Sequence, residues 1–266
     1  MRRQKPSHSK PFTQAPRGKP RHSGRSADTA RILIFGLHAV EAALGNPDRP
    51  VLRLLATDNA AHRLAPLIAK RKLTPEPATP KDLDRLLGPD TVHQGVALEA
   101  GPLEPIGLDD VDTNGTLLVL DQVTDPHNVG AALRSAAAFG ASGLVLTERH
   151  SPPLSGVLAK AQRALDLVPI VLVKNLSQAA HTELGERGVL RIGLAEDGDE
   201  PLEATRLTQP LALVLGAEGK GLRHLTRERC DRICRISTTS ALASLNVSNA
   251  AAIAMHWASL KARGTE

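Results

Sequence analysis

The stretch LLVLDQVTDPHNVG, residues 117–130, decides the fold. Four apolar residues run together without a break, then Asp121 opens a polar turn that leads through Pro126 and Gly130 into a helix. A run with no polar and apolar alternation suits a strand buried on both faces, as in a parallel sheet. The design recurs along the chain at Leu144–Leu146, Ile170–Val173, Ile192–Leu194, Leu211–Leu215 and Ile233–Ile236, with helical segments between the runs. The pattern predicts an α/β domain, a parallel sheet with helices packed outside it.

In an open parallel sheet, ligands bind beyond the carboxyl ends of the strands. The turns after the apolar runs are therefore the places to look. The first, residues 121–130, feeds a helix that carries Arg134 about one and a half turns in, near the positive end of a helix dipole. A surface salt bridge is the ordinary explanation of a lone Arg. The second is GAEGKG, residues 216–221. Three glycines in six residues permit positive φ and a close backbone approach to a ligand. The stretch is not a phosphate loop, because Val214 stands five places before Gly219 and Leu222 follows Gly221. Gly-x-Gly-x-x-Gly does not occur either, so ordinary ATP or NAD binding has no support. A tight turn would explain the glycines, but Glu218 among them asks for another reason. The third is Ala243-Ser244-Leu245-Asn246-Val247-Ser248-Asn249, just before an Ala-rich helix. Ser and Asn there serve as helix N-caps. Three polar turns of one design in one domain point to a site.

Charge and composition narrow the function classes. Of 266 residues only 2% are aromatic, so Ala, Leu and Val supply the core and no aromatic platform for stacking bases is available. Tyr is absent, which removes one common general acid or base. The net charge of +5 is unevenly spread. Residues 1–30 hold eight of the 33 Lys and Arg but one of the 28 Asp and Glu, together with four Pro and no Leu, Ile or Val. That tail cannot bury enough apolar area to offset its chain entropy and is expected to be disordered, in a form suited to contacting nucleic-acid phosphates. It has no apolar stretch for a signal peptide. Nor does the chain hold the roughly 18 consecutive apolar residues of a membrane span. Cys230 and Cys234 lack a second pair to complete a zinc site, and the histidines are scattered, so no metal is expected and the thiols read as reduced, in the cytoplasm.

Residues 31–100 read as a smaller α/β unit, with a helix over His38–Leu44, an apolar run Val51–Ala56, a helix over Ala60–Lys72 and another over Lys81–Leu87. Residues 101–115, opening Gly101-Pro102-Leu103-Glu104-Pro105-Ile106-Gly107, read as a linker. The large unit occupies 116–266.

Three segments identify a family resemblance: LDQVTDPHNVGAALRSAAAFG (120–140), LVLGAEGKGL (213–222) and SLNVSNAAA (244–252). In this order and spacing they resemble the SpoU (TrmH-type) RNA ribose 2′-O-methyltransferases of the SPOUT superfamily. IFGLHAVEAAL (34–44) and HQGVALEA (93–100) look like that family's small RNA substrate-binding domain, which points to the subgroup acting on 23S rRNA guanosine. The resemblance implies a C-terminal trefoil knot, S-adenosylmethionine as cofactor, and a homodimer whose two subunits complete each site. It places Gly216, Ile236 and Leu245 in the cofactor pocket, and Asn128, Arg134, Glu218, Ser244 and Asn246 at the active-site positions. The sequence also departs from the family. Ile236-Ser237-Thr238-Thr239-Ser240 stands where Ile-Pro-Met and a Gly are usual, and Lys160-Ala161-Gln162-Arg163-Ala164-Leu165 lacks the usual Ser-Gly pair.

The chemistry accounts for these residue types. A ribose 2′-hydroxyl loses its proton as its oxygen attacks a methyl on cationic sulfur. Alignment of the reacting atoms and stabilisation of the developing oxyanion are the protein's contributions. A guanidinium is a poor proton acceptor at neutral pH. Arg134 is therefore expected to stabilise the oxyanion or orient the neighbouring phosphate, with the proton lost to water or a nearby group. Asn128 and Asn246 are expected to hold ribose and loop geometry, Glu218 to anchor Arg134 or a backbone amide, and Ser244 to position the nucleotide. Two other readings stand beside this one: a transfer RNA substrate, and a knotted RNA-binding assembly factor without turnover.

Overall fold

Two β-sheets organise the chain. The computed structural model describes residues 31–149, 151–152, 161, 163–208, 210–239 and 245–264. The tail expected to be disordered (1–30), Ser244, and Lys160 and Gln162 of the 160–165 departure lie outside the described residues.

The first sheet is built from β1 (Ile32–Phe35), β2 (Val51–Ala56), β3 (Glu76–Pro77) and β4 (Val96–Ala100), in the order β1-β4-β2-β3. β4 runs antiparallel to β1 and β2, and β3 runs parallel to β2. Its helices are α1 (Leu37–Gly45), α2 (Asp58–Arg63), α3 (Ala65–Lys70) and α4 (Pro80–Leu87). The single helix expected over Ala60–Lys72 is two. Leu64, at φ −92° and ψ 1°, closes α2 and opens α3. Pro66 follows in the first turn of α3. Lacking an N–H, it cannot continue the ladder of the preceding turn.

The second sheet takes β5 (Thr116–Asp121), β6 (Gly143–Thr147), β7 (Ile170–Val173), β8 (Leu190–Leu194), β9 (Glu200–Pro201), β10 (Leu211–Gly216) and β11 (Arg232–Arg235). The order is β7-β6-β5-β10-β8-β11-β9, and every pairing is parallel. Its helices with both ends among the described residues are α5 (Pro126–Ala138), α6 (Leu176–Gln178, running into a π-helical turn over Ala179–Leu184), α7 (His224–Glu228) and α8 (Val247–Ala262). This is the parallel α/β sheet expected from the unbroken apolar runs. The last of those runs was placed one residue late, since β11 ends at Arg235 and Ile236 falls in the turn beyond it.

The runs are unbroken because both faces are covered. Leu118, Leu120, Leu144, Leu146, Leu213 and Leu215 pack on one side with residues of α5 and α8. Leu117, Val119, Val145, Ala212 and Val214, the alternate positions, pack on the other. Period-2 geometry thus divides each strand between two cores. Residues 101–115 do not hang free. Ile106 bridges Val171 beside β7, and Leu108 and Val111 are buried. Ahead of them, Arg49 Nε donates to Asp166 Oδ1 at 2.7 Å with both side chains buried, and Arg49 Nη1 donates to the carbonyl of Gly101 at 3.0 Å. A buried pair of this kind adds little net stability, but it costs several kcal/mol to break from one side, so it fixes an arrangement more than it strengthens one.

Leu213 is fully buried on β10, between β5 and β8. Leu213→Ala is expected to lower unfolding stability by about 2–5 kcal/mol, read from the urea midpoint. An unmoved midpoint would show that β10 does not lie between two packed layers.

Candidate functional site

A cleft of about 400 Å³ opens at the carboxyl ends of β8 and β10. Its walls come from Leu194–Asp197 after β8, from Leu215–Leu222 around the end of β10, from Ile236 after β11, and from Leu245, Val247 and Ala250 at the start of α8. Arg227 of α7 completes it. The three residues expected to form a cofactor pocket, Gly216, Ile236 and Leu245, all line this one cleft.

The reversal after β10 gives the cleft its shape. A Cβ on Gly216 would lie 2.0 Å from the carbonyl carbon of Gly221 and 2.3 Å from the amide nitrogen of Leu222. Only a residue without a side chain fits there. Gly221 N–H donates to the carbonyl of Ala217 at 2.8 Å, and Gly219 and Gly221 take φ of 74° and 63°, open to glycine at little cost. This tight return leaves Glu218 near the tip, exposed, with its carboxylate turned to two other segments.

There Asn128 and Asn246 meet it. Asn128 Nδ2 donates to Glu218 Oε1 at 3.1 Å, and Asn246 Nδ2 donates to the same oxygen at 2.5 Å. Asn246 Nδ2 also lies 3.1 Å from Asn128 Oδ1, and Val247 N–H reaches Glu218 Oε1 at 3.4 Å. Three of the five expected active-site residues therefore form one hydrogen-bonded cluster. Glu218 does not need Arg134 as its partner; side-chain amides and a backbone amide serve instead.

Asn246 does two jobs at once. Its Oδ1 accepts from Ser248 N–H at 2.8 Å and from Ser248 Oγ at 2.6 Å, so it is the N-cap of α8. Its Nδ2 remains for the cluster. The capping role and the site role are the two ends of one amide. Asn128 is held similarly early in its helix. Asp125 caps α5 through His127 N–H, and Pro126 occupies the first turn, where its missing N–H costs nothing.

Arg134 stands on α5 with its side chain exposed, six residues beyond Asn128. Because α5 begins at Pro126, Arg134 is more than two turns in, not one and a half. It lies beyond the first turn, where a helix dipole acts.

Two features escaped the sequence reading. Asp121, ending β5, is fully buried, and it accepts from Arg223 Nε at 2.7 Å and from Arg223 N–H at 3.1 Å. This ion pair ties the far end of the glycine reversal to β5. A carboxylate closing a strand buried on both faces must find a donor, and that was the available signal. Beside it, Gln122 takes φ of 59°, a strained value for a residue with a side chain. The second feature is an ion pair on the cleft wall, Arg227 Nη1 to Asp197 Oδ1 at 2.7 Å. The hydrogen bond from Arg227 holds the Asp197 carboxyl below its usual range. By contrast, burial pushes the Cys230 thiol up to about 12, so it stays protonated. Among the described residues no three His, Cys, Asp or Glu side chains gather as a metal site.

Comparison with known proteins gives a consistent result. Residues 115–256 match the SpoU rRNA Methylase family, and residues 33–106 match RNA 2'-O ribose methyltransferase substrate binding. Over 234 residues the chain is 37% identical to the 23S rRNA (guanosine-2'-O-)-methyltransferase RlmB of Photobacterium profundum, covering 84% of this chain and 95% of that one. Among solved structures, the SpoU methyltransferase AviRb from Streptomyces viridochromogenes is similar with a TM-score of 0.68 and 25% identity, over 88% of this chain and 91% of its own. The same enzyme solved with AdoMet shares the fold at a TM-score of 0.66 and 24% identity, over 89% and 92%.

The half-buried Asp121–Arg223 pair and the exposed cluster should respond differently to mutation. Arg223→Ala removes the charged donor to the buried Asp121 carboxylate and leaves it the backbone N–H of residue 223, and is expected to cost about 1–3 kcal/mol in urea unfolding. Glu218→Ala removes exposed hydrogen bonds and is expected to cost about 1 kcal/mol or less. Equal losses would make Glu218 a structural residue, and no loss for Arg223→Ala would remove the strut.

Proposed function

The chain belongs to the SpoU rRNA Methylase family, and from that membership we propose that it transfers a methyl group from S-adenosylmethionine to the ribose 2′-hydroxyl of a guanosine in 23S rRNA. One observation supports this reading above the rest. Asn128, Glu218 and Asn246, from three motifs spread over 118 positions, close on one carboxylate beside a cleft. The substrate follows the relative named as a 23S rRNA guanosine methyltransferase, together with the match of residues 33–106 to a substrate-binding domain.

The residues present fit the cofactor. The cleft lies within the roughly 300–1,000 Å³ of small-molecule sites. Backbone at Gly216 with the apolar side chains of Ile236 and Leu245 suits a flat nucleoside, and the nearby carboxylates Glu196, Asp197 and Glu218 suit a positively charged sulfur. Bound there, S-adenosylmethionine supplies an electrophilic methyl group. Asn128 and Asn246 hold the Glu218 carboxylate in one orientation and keep the glycine reversal closed against α8. Arg134, on the helix that starts at Asn128's turn, stabilises the oxyanion or orients the adjoining phosphate. Ser244 positions the nucleotide by hydrogen bonding, and the proton goes to water or a neighbouring group.

The reading extends to a C-terminal trefoil knot and to a homodimer at work in the cytoplasm. The packing of α8 against the β10 reversal and α5 is in keeping with the knot. Ile253 and Leu260 of α8 are exposed though apolar, which suits a second copy. Among the described residues no helix is long and apolar enough to cross a membrane.

With labelled S-adenosylmethionine, the purified protein is expected to place a methyl group on one guanosine of unmodified 23S rRNA and not on bulk transfer RNA. Label on transfer RNA alone would overturn the substrate, and no label with no cofactor binding would leave an RNA-binding protein. Arg134→Ala should lower turnover about 10²-fold, while full turnover in Arg134→Lys would rule out planar, bidentate orientation by the guanidinium. Removing the basic residues 1–30 should weaken RNA binding and flatten its dependence on salt. An unchanged slope would take that arm out of the reaction.

A further inference from the structure

The cleft has two unlike walls. Gly216, Ile236 and Leu245 offer backbone and apolar surface, whereas Asp197 and Arg227 bring a charged pair from the turn after β8 and from α7. The pair spans two elements and uses one nitrogen of the guanidinium and one oxygen of the carboxylate, 2.7 Å apart. A guanidinium has five donors and a carboxylate about four acceptor sites, so each keeps most of its capacity. Stability does not explain the pair. With side-chain exposures of 34% and 76%, it belongs to the class of surface ion pairs whose net contribution is about 0–1 kcal/mol.

The cofactor assigned above, on which this step rests, has matching ends. Its nucleoside is flat and largely apolar, and its amino-acid end bears an ammonium and a carboxylate side by side. We propose that Arg227 and Asp197 together bind the amino-acid end of S-adenosylmethionine, Arg227 taking its carboxylate and Asp197 its ammonium. A guanidinium donates two parallel hydrogen bonds to a carboxylate, and a carboxylate accepts from an ammonium, so the zwitterion meets its complement on both sides. Gly216, Ile236 and Leu245 would then hold the nucleoside, and the bound group would supply its electrophilic methyl. The pair is ionised at neutral pH, since the Arg227 hydrogen bond favours the charged carboxylate of Asp197.

The full-length protein tests this by calorimetric binding of two compounds. S-adenosylhomocysteine has the amino-acid end; 5′-methylthioadenosine keeps adenine, ribose and sulfur but lacks it. The unaltered protein is expected to bind the first more tightly. Arg227→Ala should weaken S-adenosylhomocysteine about tenfold and leave 5′-methylthioadenosine unchanged. Asp197→Asn, which keeps the shape and removes the charge, should show the same selectivity. Retained binding of 5′-methylthioadenosine also demonstrates that each variant keeps a folded cleft. Equal weakening of both compounds, or of neither, would overturn the proposal. So would equal affinity of the unaltered protein for both, with the cofactor assignment intact. Binding of neither compound by the unaltered protein would sink the cofactor assignment itself, and this proposal with it.

Discussion

Gly216 and Gly221 approach so closely that a methyl group cannot enter between them, and the site is built outward from that contact. The chain leaving β10 must reverse within a few residues because its return backbone is pressed against its own strand end. The reversal sets Glu218 where Asn128 and Asn246 can reach it. It also delivers Arg223 to Asp121 at the end of β5. One steric restriction thus orders two electrostatic contacts, one half-buried and one exposed. The parallel pairing of β10 with both β5 and β8 supplies the rigid base from which the reversal starts.

The energetic division follows from exposure. Fully burying a Leu contributes about 1.5–3 kcal/mol, and β5, β6 and β10 each contribute several such residues to two cores. The cluster at Glu218 is solvent-exposed, and hydrogen bonds there add little net free energy because water offers substitutes. Its importance lies in direction. Three side chains from distant segments are confined to one mutual orientation, and a reaction that needs alignment of three atoms gains from such confinement. The fold does not depend on these exposed polar contacts for its stability, which is the usual separation between a scaffold and a site placed on its loops.

Much of this was legible in the sequence, for identifiable reasons. A strand buried on both faces leaves an unbroken apolar run, so β5, β7, β8 and β10 could be placed closely. Glycines at a strand end, with a carboxylate among them, marked the reversal. Asn246 was visible as a cap, but a cap uses only the amide oxygen, and nothing local shows where the nitrogen points. Long-range partners were hidden for the same reason: Asp121 and Arg223 are 102 positions apart, and Arg49 and Asp166 are 117 apart. Boundaries depended on single residues. Pro66 split a helix that periodicity had joined, and Pro126 moved the start of α5 upstream, changing the setting assigned to Arg134. Ile106 reads as linker because Gly and Pro surround it, yet its backbone pairs with β7 itself, at Val171.

The departure after β11 bears on whether the site kept its chemistry. A Pro at position 237 would fix φ of the turn that follows Ile236; Ser237 leaves that torsion free. Its hydroxyl instead donates to Glu203 Oε2 at 3.1 Å, a tether to the turn after β9. The bond is exposed and weaker than a ring constraint, so this turn is held with more latitude than a proline would permit. What matters for the cleft is the residue before it, and Ile236 still lines the cleft together with Gly216 and Leu245. The change therefore acts on how stiffly one wall is held and not on which groups face the ligand. Asn128, Glu218 and Asn246 owe nothing to that turn, being held by α5, the glycine reversal and the cap of α8. Gly216 is required by the fold of the reversal itself, but nothing in the fold requires an exposed carboxylate shared by two amides. That cluster is the arrangement of a site, and it supports a working enzyme over an inert relative.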